Sequence, residues 1–263
     1  MASFLPIGSI TALGFGNRLM QLPLGIFAIS AGTAVLPLYS RHITEKKFDE
    51  LSENLHFASV SLACIVLPIT MLIAILGKDF VYILFEHGIF DQRATLMTYQ
   101  ALFFYSLGLL FYSLNQTLTP LFYANKDTRT PVKIAAAMVA LNIALNYILM
   151  QFIQHRGLAL STSITAVVNY CILLYMIHKK IPQVGFKRLF VNVLKAIIIS
   201  LGLFVPLYYL NTLFANPDRW FLILKAGGIS ILYFSLFFIL GMIFRIDYIS
   251  TIRERLWSRL LRK

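Results

Sequence analysis

Arg18 lies inside residues 10–39, a stretch that is otherwise apolar. A guanidinium stays charged in proteins and costs about 2.5–3.5 kcal/mol on insertion scales near the centre of a membrane-spanning helix. A group that expensive faces a wet cavity or a binding partner, unless it sits near a helix end and snorkels to the interface. Spacing alone leaves both readings open. The eleven Asp and Glu are all read as lying in loops or tails, so an anion that meets Arg18 comes from a ligand or from helices outside this chain.

A second polar constellation is Asn142 and Asn146, four residues apart and so on one helix face, followed by Thr162 and Thr165. The intervening Gln154-His155-Arg156-Gly157 is read as a tight turn between antiparallel helices, which brings these side chains to similar depth. Buried amides and hydroxyls across membrane helices act as glue worth about 0.6 kcal/mol each, or they contact an ion or substrate. Motifs of enzymes are missing: there is no HExxH, GxSxG, Walker lysine or GxGxxG, and the five histidines have no ligand spacing. Cys64 and Cys171 read as small core residues, and the chain reads as a non-enzyme.

The elements that must position these residues follow from composition. The 263 residues are 59% hydrophobic and only 13% charged, too little polar surface to cover a soluble globule. Windows of about 20 apolar residues cross a bilayer, and seven occur: 10–39, 57–76, 99–123, 132–153, 158–177, 190–210 and 221–243. Strand-type alternation is absent, so the expected fold is all-α, a polytopic helical bundle. Loops 40–56, 124–131, 178–189 and 244–263 hold 15 Lys and Arg, against four in 1–9, 77–98, 154–157 and 211–220. The positive-inside rule makes the first set cytoplasmic, together with the carboxyl terminus. Lys133, Lys195 and Lys225, near window ends, are expected to snorkel. The net charge of +12, divided among four loops, suits anionic lipid heads and not nucleic acid.

Seven spans place the amino terminus outside without a signal peptide, so the chain reads as the back part of something longer. One membrane domain, 1–263, is expected. Residues 78–98 are expected to form an amphipathic helix along the outer interface, and 248–263 a cytoplasmic one. The first span carries Gly14, Gly16, Pro23, Gly25, Gly32 and Pro37. Pro23 removes a backbone hydrogen bond one turn back, near Arg18. Bending for function and close packing through Ala28, Ala31 and Gly32 are both compatible with that composition.

Asn17-Arg-Leu-Met-Gln-Leu-Pro-Leu-Gly-Ile-Phe27 with Ala34-Val-Leu-Pro37 resembles the eighth membrane helix of the MviN/MurJ lipid II flippases. Leu84-Phe-Glu-His-Gly-Ile-Phe90, Phe122-Tyr-Ala-Asn-Lys-Asp-Thr-Arg-Thr-Pro-Val132 and Gly157-Leu-Ala-Leu-Ser161 continue the match through most of residues 1–180. The resemblance implies helices eight to fourteen of a fourteen-helix member of the multidrug/oligosaccharidyl-lipid/polysaccharide exporter superfamily. Residues 1–180 would be second-lobe helices, and 181–263 an extra pair with a basic tail. The implied activity is alternating-access export of lipid II across the bacterial inner membrane, without a cofactor, driven by a coupling ion (Na+ or H+) or the membrane potential. Implied partners are lipid II or a related polyprenyl-diphosphate glycolipid, membrane lipids and the missing amino-terminal half. Arg18, with Asn17 and Gln21, would bind substrate; Asn17 stands where an acidic residue is often found. Asn142, Asn146 and Thr162 match an ion site, with Asn146 in place of a carboxylate. Another oligosaccharide flippase, a drug exporter or a non-transporting lipid-binding scaffold are the competing readings.

Overall fold

A computed structural model describes residues 5–214 and 218–249, and every regular element among them is helical. The first apolar window becomes α1 (Ser9–Pro23), a π-helical turn (Leu24–Ile29) and α2 (Ser30–Thr44), which together form one span of 36 residues. Pro23 ends the α-type hydrogen bonding, and the wider turn that follows absorbs the lost donor. The small residues of the same span also pack. Ala28 is fully buried, and a Cβ at Gly32 would meet the Gln116 carbonyl oxygen at 2.7 Å. Bending and packing therefore coexist.

The central helix is α3 (Phe48–Phe85), 38 residues and about 57 Å long at the α-helical rise, well beyond a hydrocarbon core. Its excess length corrects two expectations. Residues 78–85 are the last two turns of α3 and not part of a separate interfacial helix; a short turn follows, and α4 (Gln92–Ser106) starts at Asp91, whose carboxylate caps the Ala94 amide at 2.8 Å. Charge at the membrane boundary lets a helix run on into water and does not by itself stop it. Asp49, Glu50, Glu53 and Asp79 consequently lie in a helix and not in loops.

The window 99–123 divides into α4 and α5 (Leu109–Ala124), bent by 43° at Leu107–Gly108. A Cβ on Gly108 would stand 2.7 Å from the Ser163 Cα, so glycine is what lets the bend press against α7. Helices α6 (Arg129–Ile153) and α7 (His155–Lys180) form a hairpin whose connection is Gln154 alone, at φ 51°, shorter than the four-residue turn expected. Gly157 permits it, because a Cβ there would lie 2.5 Å from the Leu149 carbonyl. Among the described residues, six helical spans are long and apolar enough to cross a membrane, or seven with the bent α4–α5 pair taken as one.

α1 packs on α4, α2 on α5, α5 on α7, and α3 lies among α2, α4, α5, α8 and α9. The last pair, α8 (Lys187–Leu213) and α9 (Arg219–Ile243), attaches chiefly through α3. Polar ties join the elements: Ser59 and Thr117 hydroxyls at 2.9 Å, Ser163 Oγ to the Phe104 carbonyl at 2.6 Å, and Tyr233 OH to the Ser200 carbonyl at 2.8 Å. Lys225 does not snorkel. Its side chain is 7% exposed and its Nζ meets Asp79 Oδ2 at 2.8 Å, because the extended α3 carries that carboxylate to it. Cys64 is buried but Cys171 is exposed, so only the first is a core residue. Of the expected tail helix 248–263, residues from 250 on lie outside the described residues; Asp247 to Ile249 are helical.

At the end of the bundle with the basic loops, α2, α5 and α9 all finish in the same way. Lys46 (φ 57°), Lys126 (φ 59°) and Arg245 (φ 51°) adopt the left-handed conformation, and paired amide bonds close back on each helix: Lys47 to His42, Asp127 to Phe122, Ile246 to Gly241. This is the Schellman geometry that usually takes glycine. Three cations hold it here, which sets positive charge against the negative end of each helix dipole at the cost of some backbone strain.

Candidate functional site

α1 presents the predicted substrate residues together. Asn17 and Gln21, one turn apart, are joined by a hydrogen bond from the Gln21 amide to Asn17 Oδ1. Asn17 is half-buried, whereas Arg18 and Gln21 are exposed. The Arg18 guanidinium lies 5.9 Å from the Phe15 ring centroid, a weak cation–π contact, and no carboxylate among the described residues stands within ion-pair distance. The π-helical turn begins one turn and a half later. A fixed cation on the open face of a bent helix can hold an anionic group bidentately.

The amides of the α6–α7 hairpin meet as their spacing requires. Asn142 Nδ2 donates to Thr165 Oγ1 at 3.3 Å and Asn146 Nδ2 to Asn142 Oδ1 at 2.9 Å, while Ser161 Oγ donates to Asn146 Oδ1. Thr162 donates to the Leu158 carbonyl at 2.8 Å, which leaves its oxygen lone pairs available. Asn142, Thr162 and Thr165 line a cavity of about 560 Å³ between α5 and α6 with α7 behind it. Asn146 is not part of that wall; it holds Asn142 from behind.

The cavity also takes in residues not foreseen: Tyr112, Asn115 and Gln116 from α5, and Asn169 from α7. The Tyr112 hydroxyl and Asn115 Oδ1 are buried without a hydrogen-bond partner among the described residues. Asn115 Nδ2 reaches the Ala166 carbonyl at 3.3 Å, so the unpaired oxygen is held in place. Three polar side chains within five residues of the third window, 99–123, were the available signal, but only the α5–α6 gap gives them a purpose. The lining offers neutral oxygens and no carboxylate, and no group of three His, Cys, Asp or Glu among the described residues could hold a metal. Neutral oxygens of this kind suit a hard monovalent cation, and a compensating negative charge would have to come from outside this lining. None of the α1 residues borders the cavity, so the two predicted sites are separate.

The loop between α5 and α6 is built around Asp127. Its carboxylate pairs with Lys180 at the end of α7 and accepts from the Thr130 amide at 3.0 Å; Lys180 also reaches Thr130 Oγ1 at 2.7 Å. The bond to Lys180, then those to Thr130, hold the Asp127 carboxyl well below the usual carboxylate range.

Residues 1–227 match the family model described as lipid II flippase MurJ. A probable lipid II flippase MurJ of Bdellovibrio bacteriovorus is 30% identical over 260 residues, covering 96% of this chain and 48% of that protein. One from Rickettsia prowazekii is 32% identical over 90% of this chain and 48% of its own length. The lipid II flippase MurJ of Burkholderia cenocepacia is 30% identical over 77% of this chain and 40% of its own. A solved lipid II flippase MurJ in an inward closed conformation superposes with a TM-score of 0.75 at 26% identity, covering 93% of this chain and 49% of that one. The chain thus spans about half the length of the relatives it matches. All-helical architecture, apolar spans and the extent of the family match agree, and the chain belongs to the MurJ lipid II flippase family, whose members are multi-pass membrane proteins.

Proposed function

We propose that this chain is the carboxy-terminal half of a lipid II flippase, helices eight to fourteen of fourteen, and that it works with an amino-terminal half to carry lipid II from the inner to the outer leaflet by alternating access. One observation carries the reading: Arg18 is a permanent cation on an exposed face of α1, with no carboxylate within ion-pair distance among the described residues. That group suits the diphosphate of a polyprenyl-linked substrate, with Asn17 and Gln21 offering hydrogen bonds alongside. The bacterial inner membrane, with the basic loops and carboxyl terminus in the cytoplasm, follows from the same reading and the positive-inside rule. No organic cofactor is required.

Asn142 and Thr162 are the candidate ligands for a coupling sodium ion, with Asn146 positioning Asn142 and the balancing charge supplied by a helix of the other half. A proton or the membrane potential are the other ways to drive the cycle. The test is Arg18 substitution in the intact transporter. Arg18→Lys keeps a cation but loses the planar fork, and Arg18→Ala loses both. Lipid II binding should fall with Lys and fall further with Ala, by roughly tenfold to hundredfold, the worth of one charge-assisted hydrogen-bonded contact. A drug exporter would lose lipid II binding no more than binding of a cationic or neutral substrate, and a scaffold would tolerate both changes.

A further inference from the structure

Where α3 and α8 end and α4 and α9 begin, the helix ends line a second cavity of about 960 Å³, which shares no lining residue with either site above. Its floor holds the Lys225–Asp79 pair, which meets at ion-pair distance without hydrogen-bond geometry. Glu86, on the wall, accepts from Thr95 Oγ1 at 2.5 Å, and its carbonyl accepts from Arg219 Nη2 at 2.6 Å. With these carboxylates engaged, Lys78 and Arg93 stay exposed on the rim, with no carboxylate within ion-pair distance among the described residues. Asn211 adds a buried Oδ1 that lacks a hydrogen-bond partner among the described residues, while its Nδ2 is fixed on the Ile75 carbonyl at 3.2 Å.

The placement of charge is what singles out this cavity. Segments 1–9, 77–98, 154–157 and 211–220, at this end of the bundle, carry four Lys and Arg, all of them in helices; three, Lys78, Arg93 and Arg219, gather around the cavity and Arg156 is the fourth. A side poor in cations has concentrated them at one opening. That opening lies at the helix ends, where Leu96 and Trp220 are exposed at 44% and 75% and where an aromatic ring marks the level of lipid heads. An occupant must present an anion to Lys78 and Arg93 and apolar chains to the rim, which describes an amphiphile.

We propose that this cavity binds the phosphate of a phospholipid headgroup from the adjoining leaflet. Arg93 grips it as a planar fork and Lys78 as a point charge, over the fixed Lys225–Asp79 floor. The bound head then bridges the α3–α4 corner and the α8–α9 pair. The site shares no residue with the lipid II reading, so either can fail alone.

The test is native mass spectrometry of the intact transporter carrying this chain, titrated with phosphatidylglycerol, with a diacylglycerol of the same chains, and with inorganic phosphate. Both rim cations are exposed, so Lys78→Ala with Arg93→Ala should leave folding intact. That double variant should bind phosphatidylglycerol roughly tenfold or more weakly, each surface cation contributing about a fivefold factor. Arg156→Ala, the control at the same end, should bind as the parent does, and diacylglycerol should not be retained. Unchanged affinity in the double variant, an equal loss in Arg156→Ala, or equal retention of diacylglycerol would overturn the proposal. Displacement of the lipid by millimolar inorganic phosphate would overturn it too, and would assign the cavity to the free ion.

Discussion

At the scale of single residues, the chemistry rests on side chains held by named neighbours. Asp127 is the clearest titrating case. Its carboxyl is depressed by Lys180 and Thr130, so its contribution is complete above the ordinary carboxyl value of 3.8 and is lost as pH falls through its lower folded value. The Thr130 amide should therefore keep its hydrogen-exchange protection from pH 8 to about 5, beyond ordinary intrinsic exchange, and lose it in strong acid. Asp127→Ala, which removes the acceptor of the Thr130 amide, should remove that protection at every pH. Protection insensitive to the substitution would mean the loop is held some other way. Residue identity was legible in sequence where spacing is local: Asn142, Asn146 and Thr165 share a network because four-residue spacing and a short turn force it. Asp79 and Lys225 were not, since they are far apart in the chain and meet only because α3 runs past the membrane boundary.

At the scale of elements, glycine and cationic helix ends make separate predictions. Gly157→Val would drive a side chain into the Leu149 backbone 2.5 Å away, where neither helix can yield. Overpacking of this kind costs about 1–3 kcal/mol or more, so the melting temperature of the intact protein should drop, while Gly202→Val, with nothing within 4 Å, should leave it unchanged. Equal melting of the two variants would refute the close crossing. Lys126→Gly should relieve left-handed strain of about 1 kcal/mol and raise thermal stability, whereas Lys126→Ala should not. The apolar windows were readable because a membrane helix is announced by about 20 consecutive residues. The bend at Gly108 was not, because its cause is Ser163 on another helix. Likewise, Tyr112, Asn115 and Asn169 gain meaning only from the gap between α5 and α6, which no local pattern encodes.

At the scale of the whole molecule, the proposal is of a lobe whose substrate site a partner lobe completes; the exposed Arg18 on α1 and a match to about half the length of the relatives are what support it. Topology is the first consequence. Cysteines placed at Lys126 and Lys179 should label from the cytoplasm and those at Arg93 and Arg219 from outside; labelling of both pairs from one side would rule out the seven-span arrangement. The most direct measurement of the central claim is rescue of cells depleted of their own lipid II flippase. Residues 1–263 alone should not restore growth, co-expression with an amino-terminal half should restore it, and the same pair carrying Arg18→Ala should fail although correctly inserted. Rescue by the chain alone, or by the Arg18→Ala pair, would contradict the account.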